Sequence, residues 1–129
     1  FLKEAGLRWT CDVTYSDLPI KINTPHGPIA GVPTTDFSDN RVLRASSRDL
    51  YDVHRGTFDY LRKHESIGLQ TLVIHTQFGG RPLITAVLME LLQYMKKSGD
   101  AWFTTHEQLA DWTLKQDVDD HTYRSRYFA

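Results

Sequence analysis

The chain has a single cysteine, Cys11, so no disulfide can form within it, and an intracellular, cytoplasmic setting is expected. It also lacks an excess of either charge. Fifteen Lys and Arg against sixteen Asp and Glu leave a net charge of -1, so no basic face for nucleic acid is expected. No apolar run reaches the roughly 18 residues that a membrane span needs. Several catalytic signatures are missing: no His-Glu-x-x-His pair, no Cys-x-x-Cys and no Gly-x-Ser-x-Gly elbow. His26, His54, His64, His106 and His121 are scattered, and no complete metal site can be read from them. Internal repeats and low-complexity segments are absent.

What is present fits an ordinary globular domain. The 129 residues are 40% hydrophobic and 24% charged, enough for one domain with a modest core. The opening "FLKEAG" reads as a helix tail stopped by Gly6, which suggests a chain that starts inside a domain. "LRWTCDVTY" alternates as a strand ending near Asp12. "KINTPHGPIAGVPTT" reads as a hairpin turning at "PHGP", and Pro25, Pro28 and Pro33 argue against a central strand there. "DFSDN" is a polar turn. Ser46 or Ser47 can cap a helix running to about His64, with Asp49 in its first turn.

"LQTLVIH" is the clearest strand signal, and its near-continuous apolar content suits burial on both faces. Gly79 and Gly80 turn the chain, and Pro82 suits a first helical turn. Ile84, Val87, Leu88, Leu91, Leu92 and Met95 follow at helical spacing until Gly99. "AWFT" is read as a short strand. Thr105 and Gln108 match a capping box for a last helix ending near Lys115. Residues 1–116 are expected to form the domain, and 117–129 a polar tail with late aromatics. From residue 69 the order strand, helix, strand, helix is that of an α/β fold.

His75 stands where α/β proteins build sites, at the carboxyl end of a strand. It is either a proton-transfer group or a core histidine bonded to backbone. Asp12 and Asp17 flank the end of the first strand; they can orient a histidine or touch a polar substrate, or be surface turn residues. Trp9 lines either a pocket wall or the core. Gly79, Gly80 and Arg81 form either a plain turn or a cradle for a polar group. Cys11 is either core or, with His75, a thiol pair.

"GLRWTCDVTYSDLPI", "GPIAGVPTTDFSDNRVL", "TLVIHTQFGGRP" and "AWFTTHEQLADW", in this order, resemble the C-terminal half of polysaccharide-deacetylase-like proteins. These form the carbohydrate esterase family 4 superfamily, and the likeness is greatest to its allantoinase-like and cyclic-imide-hydrolase-like branch. The resemblance covers residues 1 to 115. It implies the C-terminal part of a distorted (β/α)7 barrel. It implies hydrolysis of a non-peptide carbon–nitrogen bond, in an N-acetyl sugar or a linear or cyclic amide. His75 matches the late strand-end histidine that acts as general acid, with Asp12 beside it in a catalytic role. Asp17, Gln77, Phe78 and Arg81 match positions that touch substrate or shape the pocket mouth, and Trp9, from its place on the first strand, is the further candidate for substrate contact. Where relatives often read Val-Pro-Tyr-Thr, this chain has Val32-Pro33-Thr34-Thr35, so a site tyrosine is absent.

The family's aspartate and paired histidines for a divalent metal such as zinc, and its catalytic base, lie in the N-terminal half, and neither motif occurs here. The expected partners are therefore that N-terminal half, a small amide substrate and further copies in a homo-oligomer. A barrel fragment that binds a polar ligand or a protein without chemistry is the alternative.

Overall fold

In a computed structural model, residues 1–34 and 37–116 are described. The expected tail, 117–129, lies outside them. The chain divides into two compact units, Phe1–Thr34 with the chain from Phe103 onward, and Thr35–Trp102. No helix is long and apolar enough to cross a membrane among the described residues.

The first unit is a small open sheet covered by a helix. Its strands are β1 (Trp9–Thr10), β2 (Ile20–Ile22) and β3 (Ile29–Gly31), in the order β1-β3-β2. β2 and β3 form the expected hairpin, with Ile20 opposite Gly31 and the turn passing through Gly27 at φ +103°. The sequence argued against a central strand here, yet β3 is central and pairs in parallel with β1. The prolines explain how this is possible. Pro28 and Pro33 flank β3, so the amides that the ladder needs remain: Ala30 N–H donates to Arg8 O at 3.0 Å and Val32 N–H to Thr10 O at 2.8 Å.

The last of the described helices, named α5 below, spans His106–Lys115 and packs on this sheet. Thr105 and Gln108 form the expected capping box. Ile20, Ile29, Ala30, Val32, Leu109 and Ala110 are buried in this unit. The opening segment is a hydrogen-bonded turn rather than a helix, closed by Gly6 at φ +87°.

The second unit is helical. α1 (Asp39–Val42) is one turn, α2 spans Arg48–His64, α3 (Thr76–Gly79) is again one turn, and α4 spans Pro82–Lys97. α2 and α4 pack together through Tyr51, Phe58, Val87, Leu91 and Met95. Burying each such side chain stabilises by about 1.5–3 kcal/mol. Ser47 is the N-cap of α2 but makes no side-chain cap bond. Ser46 Oγ instead accepts the Arg48 N–H at 3.1 Å, and Asp49 folds the preceding loop onto the helix: its Oδ2 accepts from the N–H groups of Arg44, Ala45 and Ser46 at 2.9–3.1 Å. These bonds hold its carboxyl below the usual range.

Neither Leu69–His75 nor Ala101–Thr104 forms a strand, contrary to the sequence reading. Leu72 to His75 is half-buried rather than sandwiched. The run has the composition of a buried strand, but a strand also needs a neighbour with a free edge.

Gly79 is required by close approach. A Cβ there would lie 1.9 Å from Ile74 Cγ2. Gly56, inside α2, faces open space. Gly79→Ala is therefore expected to destabilise by about 1–3 kcal/mol through overpacking. Gly56→Ala is expected to stabilise by about 0.5–1 kcal/mol through helix propensity. Denaturant midpoints of the two variants check this, and equal shifts would contradict the packing account.

Candidate functional site

His75 is the hinge between the extended run and α3. Its backbone is extended (φ -84°, ψ 133°), and its carbonyl accepts from Phe78 N–H at 3.0 Å and Gly79 N–H at 2.8 Å. Arg81 Nε donates to Gln77 O at 3.1 Å, and Thr85 Oγ1 to Gly79 O at 2.8 Å. The turn after His75 is thus fixed by local bonds and by Gly79 against Ile74. Gln77, Phe78 and Arg81 are exposed around it. Phe78 sets its ring edge-on to the imidazole, centroids 6.2 Å apart at 89°.

The partner of His75 is Asp39, which the sequence reading left in a polar turn. Asp39 has no solvent exposure. Its Oδ1 lies 2.6 Å from His75 Nδ1, and its Oδ2 accepts the His75 backbone N–H at 2.8 Å. Oδ1 also accepts Asn40 N–H at 2.7 Å, and Asp39 N–H donates to Val73 O at 3.1 Å. One carboxylate therefore grips both the ring and the main chain of His75. Burial alone would raise its pKa. The bonds from the His75 ring, the His75 amide and the Asn40 amide outweigh burial and hold the carboxyl below the usual range.

This arrangement fixes a proton. An ionised carboxylate only accepts, so the proton between Oδ1 and Nδ1 belongs to the ring. Nε2 is then the nitrogen left for chemistry, on a ring whose side chain is 40% exposed. When Nε2 also carries a proton, the ring's positive charge faces the Asp39 carboxylate at 2.6 Å. Such a ring can take or give a proton at Nε2 without moving.

Trp9, Asp12 and Asp17 lie in the first unit. Trp9 is half-buried and stacks on His106, centroids 5.0 Å apart at 23°. Asp12 is exposed and accepts from Thr10 Oγ1 at 2.9 Å. Asp17 is exposed beside Ser16, whose hydroxyl donates to Leu18 O. Cys11 is partly buried, and burial followed by the nearby Asp12 charge pushes its thiol pKa up, which opposes thiolate chemistry.

No group of three or more His, Cys, Asp or Glu side chains that could hold a metal exists among the described residues. Both oxygens of Asp39 and Nδ1 of His75 are already used. These residues do not fit a metal site.

The sign of the Asp39 shift sets a pH dependence. Its folded pKa lies below the unfolded value near 3.9. The stability it contributes is complete above that value and is lost as pH falls through the folded pKa. In Asp39→Asn the amide NH2 must face a fixed backbone donor, from either His75 or Asn40, so a loss of about 3 kcal/mol is expected at pH 7. The gap between the two proteins should narrow as pH falls below about 4. Unfolding curves at pH 7 and pH 3 measure this, and a gap independent of pH would contradict an ionised Asp39.

No protein-family model and no curated protein sequence matches the chain. Two solved structures do. The crystal structure of Puue allantoinase is 26% identical with a TM-score of 0.77, over 89% of this chain and 41% of that one. A probable polysaccharide deacetylase from Pseudomonas aeruginosa PAO1 is 23% identical with a TM-score of 0.79, over 92% of this chain and 43% of that one. The chain thus spans about two fifths of the length of the structures it matches. It is a mixed α/β chain with the fold of part of a polysaccharide deacetylase and allantoinase domain.

Proposed function

We propose that this chain is the proton-donating part of a hydrolase that cleaves non-peptide carbon–nitrogen bonds. The observation that carries the reading is the Asp39–His75 pair, with a buried carboxylate on Nδ1 and Nε2 left for chemistry. The likeness to an allantoinase and a deacetylase supports it.

Amide hydrolysis needs three things: an activated water, a stabilised oxyanion and a protonated leaving nitrogen. His75 meets the third. Water adds to the carbonyl carbon, the carbon–nitrogen bond breaks, and the departing nitrogen takes the proton from Nε2. The ring is left neutral, still held through Nδ1 by Asp39. Phe78, Gln77 and Arg81 form the rim around the donor and contact substrate. The substrate class is a small amide: an N-acetyl sugar, a ureide or a cyclic imide.

The water-activating groups come from the rest of the barrel. The open three-stranded sheet supports such a partner, because its edge strands offer backbone that a neighbouring strand satisfies.

In the intact hydrolase, His75→Ala is expected to lower kcat by about 10²- to 10⁴-fold, with a much smaller change in KM. Turnover of a ureide, a cyclic imide and an N-acetyl sugar provides the assay. Hydrolysis unaffected by the substitution would remove the donor role. Ligand binding without turnover of any of these amides would favour the non-catalytic reading.

A further inference from the structure

The Asp39–His75 pair is assembled from two chain segments, and both meet α2: one packs against the helix and the other is bonded to a buried side chain of it. His54 is 1% exposed. It stands four residues from Leu50 and four from Phe58, in the buried stripe of the helix. On one side, Gln70 Nε2 lies 3.3 Å from His54 Nδ1 and donates to His54 O at 2.9 Å. Gln70 opens the extended run that ends at His75. On the other side, α2 packs against α1, which begins at Asp39.

The chemistry of these contacts fixes the state of the ring. An amide nitrogen only donates, so Nδ1 must accept from Gln70. The neutral ring then carries its proton on Nε2. Burial pushes the His54 pKa down, which favours the neutral ring that accepts at Nδ1.

We propose that His54 is a positioning residue for the Asp39–His75 pair. Through Gln70 it ties the segment that carries His75 to α2, the helix against which the Asp39 turn packs. The inference rests on reading that pair as the proton-transfer unit. The Asp39 N–H to Val73 O bond joins the same two segments directly, so His54 is a second tie behind the first. The bond it protects is short: a displacement of one ångström would break the 2.6 Å contact between Oδ1 and Nδ1.

A histidine of purely structural value predicts something different. Its loss lowers stability but leaves the pair unchanged in every molecule that folds. The test therefore reads the pair and the fold separately. In the intact protein, with ¹⁵N-labelled histidine, the His75 Nδ1–H proton is followed by NMR, and its exchange with water is measured alongside thermal unfolding. In His54→Leu, well below its melting temperature, that proton should exchange at least ~10-fold faster than in the parent. His54→Asn keeps an acceptor oxygen near the position of Nδ1 and should recover part of the protection. Gln70→Leu leaves His54 in place and should weaken protection in the same direction.

Unchanged exchange in folded His54→Leu and Gln70→Leu would overturn the proposal, whatever happens to the melting temperature. Failure of both variants to fold would also overturn it, by assigning the cluster to stability alone. Absence of a protected His75 Nδ1–H in the parent would instead remove the proton-transfer pair itself, and the proposed function with it. Turnover that still depends on His75 while both variants keep full protection would spare the function and sink only the positioning role.

Discussion

The grip of one buried carboxylate on His75 is the constraint on which the rest of the site depends. Asp39 receives three hydrogen bonds from donors that cannot be relocated cheaply, two of them backbone amides. In water a lone aspartate and histidine would contribute little to each other. Here the carboxylate is fully buried and pre-paid by the amides of Asn40 and His75, so its charge is available to the ring. The same bonds set the ring's angle, its tautomer and the direction of Nε2. The local fold follows: Asp39 must start a helical turn at the level of Val73, and the chain must reverse at once after His75. Gly79 makes that reversal possible by letting the backbone press against Ile74.

The fold around this grip divides its work. In the second unit, α2 and α4 supply a conventional apolar core of Tyr51, Phe58, Val87, Leu91 and Met95. Their outer faces carry ion pairs such as Arg48–Glu90 at 2.5 Å and Arg55–Asp59 at 3.4 Å, which contribute little individually. In the first unit, Arg8 pairs with Glu107 and Asp111 on α5, next to the stacked Trp9 and His106. Each unit has its own core, and the described strands are short and open-edged. That is an economical arrangement for part of a larger barrel and a poor one for a closed sheet.

Much of this was legible in the sequence wherever the signal is local. The capping box at Thr105 and Gln108, Pro82 at the start of α4, Gly99 past its end and the hairpin turn near Gly27 all act over three or four residues, and all appear where local rules place them. The ordered motifs around His75 also identified the fold that the solved structures share. Asp39 was not legible as a site residue. "Ser-Asp-Asn" in a polar turn reads as surface, and its burial arises from a contact 36 residues away. His54 did leave a signal, since a polar residue midway between Leu50 and Phe58 occupies an apolar position of the helix. The run at Leu69–His75 has strand composition, but pairing belongs to the neighbour as much as to the run, and no local pattern announces the neighbour.

The central claim is that Nε2 of His75 protonates the leaving nitrogen. The most direct measurement is the dependence of amide hydrolysis on the leaving group, compared between the parent enzyme and His75→Ala. A leaving amine of high basicity cannot depart without a proton, whereas a strongly activated anilide can. The account predicts a loss of ~100-fold or more for the basic amine and less than ~10-fold for the activated anilide. Equal losses for both would contradict it, and would place His75 in binding or in activating water instead.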